Sequence, residues 1–165
     1  YSDSVVTNIV MREGEQIMSE EFCLLPMNSG NLNRCVDLFI ETFSKEPWND
    51  VYESKEQVVT FFENYRNNNY FLGYVLMKEE EVIALSLGER KPWINGMEYY
   101  IDQFCVSREF QGNGIGSYFL NCIELDIRKE GMNAIILMTD RGFPSERFYK
   151  KNGFTECEEI IFLAK

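Results

Sequence analysis

The stretch FQGNGIGSYF, residues 110–119, places glycine at 112, 114 and 116 between a run that reads as a strand and one that reads as a helix. Glycine tolerates positive φ and lets another group approach the backbone, yet it costs a helix about 1 kcal/mol per residue. Three glycines in five positions therefore imply peptide N–H groups laid bare at a strand-to-helix turn. The first N–H groups of a helix have no internal partner and carry partial positive charge from the helix dipole. A phosphate or pyrophosphate suits such a turn. The plainer alternative is a tight glycine turn that binds nothing.

Two phosphate loops of known pattern fit poorly. The nucleoside-triphosphate loop ends Gly-Lys-Ser/Thr, whereas Gly116 precedes Ser117 and Tyr118. The dinucleotide fingerprint opens an early strand–helix–strand unit, and these glycines fall two-thirds along the chain, the third one position early.

The rest of the chain sets the frame. Its 165 residues and 45% hydrophobic content suit one domain with a sizeable core. Sixteen basic and twenty-seven acidic residues give a net charge of −11, which disfavours nucleic acid and anionic membranes as partners and favours cations. Five cysteines (23, 35, 105, 122, 157) form no CxxC pair and are odd in number, so reduced thiols in a cytoplasmic protein are expected rather than disulfides or a structural metal. Histidine is absent. That removes Ser-His-Asp and Cys-His triads and nearly every zinc-hydrolase arrangement, leaving carboxylates, tyrosines, backbone amides or a cofactor to carry any chemistry. The chain begins at Tyr1 rather than Met, which points to a trimmed start, and it shows no secretory signal.

Residues 1–20 are polar and weakly patterned, an expected tail or variable first element before a domain over 21–165. EFCLLP (21–26) reads as a strand. Leu32, Val36, Phe39, Ile40 and Phe43 recur at helical spacing over 31–44, and the capping box SKEQ (54–57) opens a second helix carrying Val58, Phe61, Phe62 and Tyr65. Strands are expected at 70–77, 81–89 and 98–106, the last after a KPWINGM turn in which Trp93 reads as a loop anchor. A helix from the glycine loop to about Glu130, a strand at 133–139, a helix at 144–151 and a closing strand FTECEEIIFLAK complete the pattern. The fold class is α+β (mixed α/β), a meander followed by a strand–helix–strand crossover.

QGNGIG (111–116), five residues after Val106, resembles the Gln/Arg-x-x-Gly-x-Gly/Ala acetyl-CoA signature of the GNAT-type N-acetyltransferases. FYKKNGF (148–154) is similar to that family's C-terminal Phe-Tyr-x-Lys-x-Gly-Phe segment, and the resemblance spans roughly 21–163. It implies a parallel strand pair, 98–106 and 133–139, that splays to admit acetyl-CoA, with helices on both faces of a mostly antiparallel sheet. Gln111, Gly112, Asn113, Gly114, Ile115, Gly116 and Ser117 would hold the pyrophosphate. Backbone groups of Phe104, Cys105 and Val106 would meet the pantetheine arm. Gly142 stands where many members carry Asn, so contacts of that side chain do not transfer.

The same resemblance assigns Tyr149 as the acid that protonates the departing thiolate; the alternative is an aromatic pair, Phe148 and Tyr149, that only packs. Strand alternation would set Glu98, Tyr100, Asp102, Phe104 and Val106 on one face. IDQ (101–103) is similar to a segment of some aminoglycoside N-acetyltransferases in which the aspartate faces the substrate amine. Asp102 is thus the first candidate for base or amine-orienting group, and Glu98 the second; a solvated strand-end carboxylate is the alternative. In FSKEPWND (43–50), Trp48 with Glu46 and Asp50 falls where the family shapes its acceptor pocket; a tryptophan that only seals the loop is the equal alternative for Trp48. Together these imply direct acetyl transfer from acetyl-CoA, without metal, to a small cationic amine. The competing readings are a non-catalytic acetyl-CoA-binding module and acetylation of a basic peptide. A homodimer is compatible with all three.

Overall fold

A computed structural model describes residues 22–165 and the backbone of 10–11 and 17–18. Apart from those two short strands, the expected tail over 1–20 lies outside the described residues. Among the described residues one sheet holds seven strands in sequence order: β1 (Val10–Met11), β2 (Ile17–Met18), β3 (Cys23–Pro26), β4 (Phe71–Lys78), β5 (Glu81–Trp93), β6 (Gly96–Val106) and β7 (Ala134–Leu137). Neighbours are antiparallel except β6 and β7, which pair in parallel. A parallel neighbour requires a crossover, and α3 (Ile115–Lys129) supplies it.

The sheet is covered on both faces. Helices α1 (Leu32–Phe43) and α2 (Lys55–Arg66) lie on one, burying Val36, Phe39, Phe43, Val58 and Phe62 against Val75, Leu85 and Leu87. Helix α3 lies on the other, burying Phe119, Leu120, Ile123 and Ile127 against Leu76, Ile83, Tyr99 and Ile101. Helix α4 (Pro144–Lys151) starts with proline, whose missing N–H costs nothing at a first turn, and adds Phe148 to the α3 side. The capping box forms with a longer reach than expected. Ser54 accepts from the Gln57 N–H at 3.2 Å, while the Gln57 side chain accepts from Glu53 at 2.9 Å.

Three expectations are corrected. First, β5 runs on through Pro92 to Trp93, and the turn before β6 shortens to Ile94 and Asn95, so Trp93 is an exposed strand end and anchors no loop. Second, the strand expected over 133–139 contracts to Ala134–Leu137. Third, residues 154–165 form no strand. A turn closed by the Ile160 N–H on the Cys157 carbonyl at 3.1 Å bends that run, so its strand propensity finds no ladder within the copy. Among the described residues no helix is long and apolar enough to cross a membrane.

Candidate active site

The site opens where two parallel strands stop pairing. Register between β6 and β7 runs from Glu98↔Ala134 to Ile101↔Leu137 and ends there, while β6 continues for five more residues. The next residue, Asp102, is the extra residue of a β-bulge: Leu87 pairs with Gln103 and Gly88 with Ile101, leaving Asp102 unmatched on β5. A bulge bends its strand and raises its twist, so β6 turns away from β7 at that point. The edge of residues 102–106 that faces β7 is left without a strand partner among the described residues. Such an edge can pair with an extended, amide-bearing ligand.

The bulge also overturns simple alternation. Tyr99 and Ile101 pack on the α3 side, and so do Phe104 and Val106, although an unbroken strand would set these pairs on opposite faces. Glu98, Tyr100 and Asp102 therefore do not share a face with Phe104 and Val106, contrary to the expectation from spacing. Cys105 falls on the α1–α2 side.

Beyond Val106, a single 3-10 turn (Arg108–Phe110) leads into the glycine loop. Gln111 folds back, its Nε2 donating to the Val106 carbonyl at 2.8 Å, and so joins the strand end to the loop. Gly112 and Gly114 take φ of 79° and 80°, with open space where a β-carbon would stand. Their constraint is conformational. Gly116 is different, since a β-carbon there would meet the Phe148 ring at 3.0 Å. Its constraint is room for α4.

Gly114 caps α3 without a side-chain hydrogen bond, and the first turn holds no acidic residue. The first bond inside the helix runs from the Tyr118 N–H to the Gly114 carbonyl at 3.0 Å, so the N–H groups of Ile115, Gly116 and Ser117 precede it. Bare amides, the helix dipole and open space beside two left-handed glycines fit an anionic pyrophosphate.

Helix α4 brings Tyr149 to the splay. Its ring lies 6.2 Å from Phe104, 5.2 Å from Phe148 and 5.4 Å from Phe154. Burial, helped by the nearby Cys105 thiol, raises the Tyr149 pKa above the ordinary phenol value. The group is a neutral proton donor at working pH and a poor phenolate base. Burial pushes the Cys105 thiol up to about 12, which keeps it protonated and unreactive as a nucleophile.

On the α2 side, Asp102 accepts from Gln103 Nε2 at 3.1 Å and lies against the Tyr65 hydroxyl. Burial first, then the hydrogen bond to Asp102 and its charge, raises the Tyr65 pKa. Tyr100 is raised by burial, then by Asp102 and Glu89. Asp50 accepts from the Tyr52 hydroxyl at 3.2 Å, and Tyr52 is raised by burial, then Asp50, then Cys105. The Cys105 thiol adds to the upward shift of both Tyr52 and Tyr149. Trp48 stands edge-on to Phe43 at 5.1 Å and is half-buried.

The remaining candidates divide. Glu46 is exposed, and its carbonyl accepts from Arg108 Nη1 at 3.4 Å, linking the α1–α2 loop to the β6–α3 connection. Glu98 sits in the paired part of β6, opposite Lys91 and beside Ala134, four residues before the splay. Asp102 is brought to the opening and Glu98 is not. The sequence pattern reads Tyr65 as core, because it shares the helical spacing of Phe61 and Phe62. A hydroxyl on that apolar face was the available signal. Tyr52 and Tyr100 carry no comparable mark. Among the described residues, no three His, Cys, Asp or Glu are grouped to hold a metal ion.

Comparisons with known proteins bear on the family and the fold. The family model described as Acetyltransferase (GNAT) family matches residues 32–154. An aminoglycoside acetyltransferase from an uncultured soil metagenomic sample, solved with sisomicin, superposes with a TM-score of 0.68 at 15% identity, over 87% of this chain and 95% of that one. The aminoglycoside N-acetyltransferase AAC(6')-Iy, solved with CoA, gives 0.68 at 14% identity over 94% and 99%. A possible acetyltransferase from Clostridium difficile 630 gives 0.75 at 16% over 88% and 98%. At these identities the likeness is one of fold. No curated protein matches the chain. The family match covers well over half of the sequence and includes the glycine loop, the splayed pair and Tyr149, and the chain belongs to the GNAT family of acetyltransferases.

Proposed function

We propose that the protein moves the acetyl group of acetyl-CoA to a primary amine of a small cationic molecule, aminoglycoside-like or polyamine-like, by direct attack on the thioester. The observation that carries this reading is Asp102 at the bulge where β6 leaves β7, with Tyr149 reaching the same opening from α4. The amides of Gly112 to Ser117 would bind the pyrophosphate, and the unpaired edge of Phe104 to Val106 would hold the pantetheine arm and polarise the thioester carbonyl. Acetyl-CoA supplies the activated acyl group when bound.

Attack requires a neutral amine and a proton for the leaving thiolate. Asp102 takes the ammonium proton, directly or through water, and Tyr65 and Gln103 hold its carboxylate in place. Tyr149 delivers a proton to the thiolate. A thiol of pKa about 8–9 leaves readily, so a weak acid suffices. Protonated Cys105 makes an acetyl-enzyme unfavourable, which supports direct transfer. Asp50, Glu46 and Trp48 would receive the remote part of the acceptor. Two structural neighbours described as aminoglycoside acetyltransferases support the acceptor class.

The test is kcat/KM for an aminoglycoside and a polyamine against an amino acid with an uncharged side chain, at low and high salt, followed by free-thiol release. Cations should be preferred, with their KM rising with salt because exposed charge attraction is screened. Preference for the neutral amine at both salts overturns the acceptor class. Cofactor binding without turnover on any amine overturns the activity.

A further inference from the structure

We infer that Glu89 is a specificity residue for the acceptor, holding the second ammonium group of a diamine whose first is presented to Asp102. The inference rests on the acetyl-transfer reading above and narrows its acceptor. Strand register sets the spacing. Glu89 pairs with Tyr100 across β5 and β6, and Asp102 lies two residues further along β6. Paired residues share a sheet face, and alternation from Tyr100 brings Asp102 onto it, on the α2 side where the Tyr65 hydroxyl meets it. Diagonal neighbours of this kind stand about 7–8 Å apart, the span of two nitrogens joined by roughly four methylenes. A cavity of about 200 Å³ lies beside them, lined by Asn64, Tyr65, Asn68 and Glu89. Tyr65 belongs to both places: it walls the cavity, and its hydroxyl meets Asp102.

Neither carboxylate has a cation. Glu63 and Glu146 are also half-buried, and they pair with Arg66 at 2.7 Å and Lys150 at 2.6 Å. Among the described residues Glu89 and Asp102 form no ion pair, and Lys91 lies over the Tyr100 ring instead, at 5.7 Å. Asn68 Nδ2 donates to Glu89 Oε2 at 2.9 Å, which fixes the carboxylate and leaves its other oxygen for a ligand. The two charges act on the same groups: after burial, Asp102 and then Glu89 raise both the Tyr65 and the Tyr100 phenols. A dication neutralises both carboxylates at once, whereas a monoamine leaves one uncompensated. Glu46 and Asp50 are exposed, so water and salt screen them more than half-buried Glu89.

The experiment measures binding of 1,4-diaminobutane and 1-aminobutane, which differ by one ammonium group, by calorimetry in the presence of CoA. Acetyl transfer to both amines is followed alongside. The full chain should bind the diamine at least about tenfold more tightly, and Glu89→Gln, which keeps an oxygen for Asn68, should bring that ratio to within about threefold of unity. Glu158→Gln removes the same net charge at an exposed position and should leave the ratio as it is. Equal binding of the two amines overturns the inference, as does binding of neither. So does a ratio that Glu89→Gln leaves intact, or one that Glu158→Gln lowers equally. Acetylation of both amines without a diamine preference sinks this inference and spares the reading it rests on. Diamine binding that depends on Glu89, without acetyl transfer to any amine, does the reverse.

Discussion

Gly88 faces the Tyr100 carbonyl so closely that a β-carbon at 88 would stand 2.0 Å from the oxygen. This approach sits directly across from the bulge at Asp102 and is part of what lets β6 turn there. Gly88→Ala must therefore displace backbone rather than a flexible side chain. A loss of about 3 kcal/mol in urea unfolding is expected, in the range of strained core changes. A midpoint equal to wild type would show that the bulge accommodates a side chain.

Gly114 and Gly116 should respond differently to substitution. Gly114→Val forces a β-branched residue into left-handed φ at the mouth of α3, and acetyl-CoA affinity should fall at least about tenfold with the fold retained. Gly116→Ala instead presses on Phe148, so thermal stability should fall as well. Calorimetric titration and melting of both variants separate the two roles. Unchanged affinity in folded Gly114→Val would remove the loop from the binding site.

Tyr149→Phe keeps the ring that packs on Phe104 and Phe154 and removes only the hydroxyl. If that hydroxyl is the proton donor, kcat falls about 100-fold or more while cofactor affinity holds. The raised pKa of Tyr149 adds a sign: wild-type activity should show no loss from phenol ionisation up to the ordinary tyrosine range. A kcat within twofold of wild type, where chemistry limits the rate, would assign the proton to another donor.

Asp102→Asn should lower kcat/KM most at pH values below the pKa of the acceptor amine, where a proton must be removed, with the defect shrinking as pH rises. Tyr65→Phe removes the hydroxyl beside that carboxylate and should reproduce a weaker form of the same profile. A pH-independent loss in both variants would mean that they only shape the pocket.

Cys35 and Cys105 are held up to about 12 by burial, against 9.0 for a free thiol. Because the folded value is the higher one, the stability tied to these protonated thiols is complete below the unfolded pKa and is lost as pH rises from there towards the folded value. Each should cost about 2 kcal/mol between roughly pH 8 and pH 10.5. Urea midpoints at the two pH values measure it, and Cys105→Ala should show a smaller alkaline loss than wild type. An equal loss in both would place the alkaline sensitivity elsewhere, for instance on the buried tyrosines.

The sequence by itself determined the elements whose signals are local. Helical spacing from Leu32 to Phe43, the Ser54–Gln57 cap, the glycine loop and Pro144 at the start of α4 each act within a few residues, and each stands where its pattern set it. Tyr149, on α4, and Asp102, on β6, were named as candidates from short motifs, FYKKNGF and IDQ, that resemble family segments. Tertiary structure decided the rest, through contacts between segments distant in sequence. Whether Asp102 shares a face with Phe104 depended on a register shift against β5 that alternation along one strand cannot encode. Tyr65 met Asp102 only because α2 packs across the sheet at that bulge. The terminal run FTECEEIIFLAK has strand chemistry, but a strand exists only where another edge accepts its hydrogen bonds, and pairing is a property of two segments.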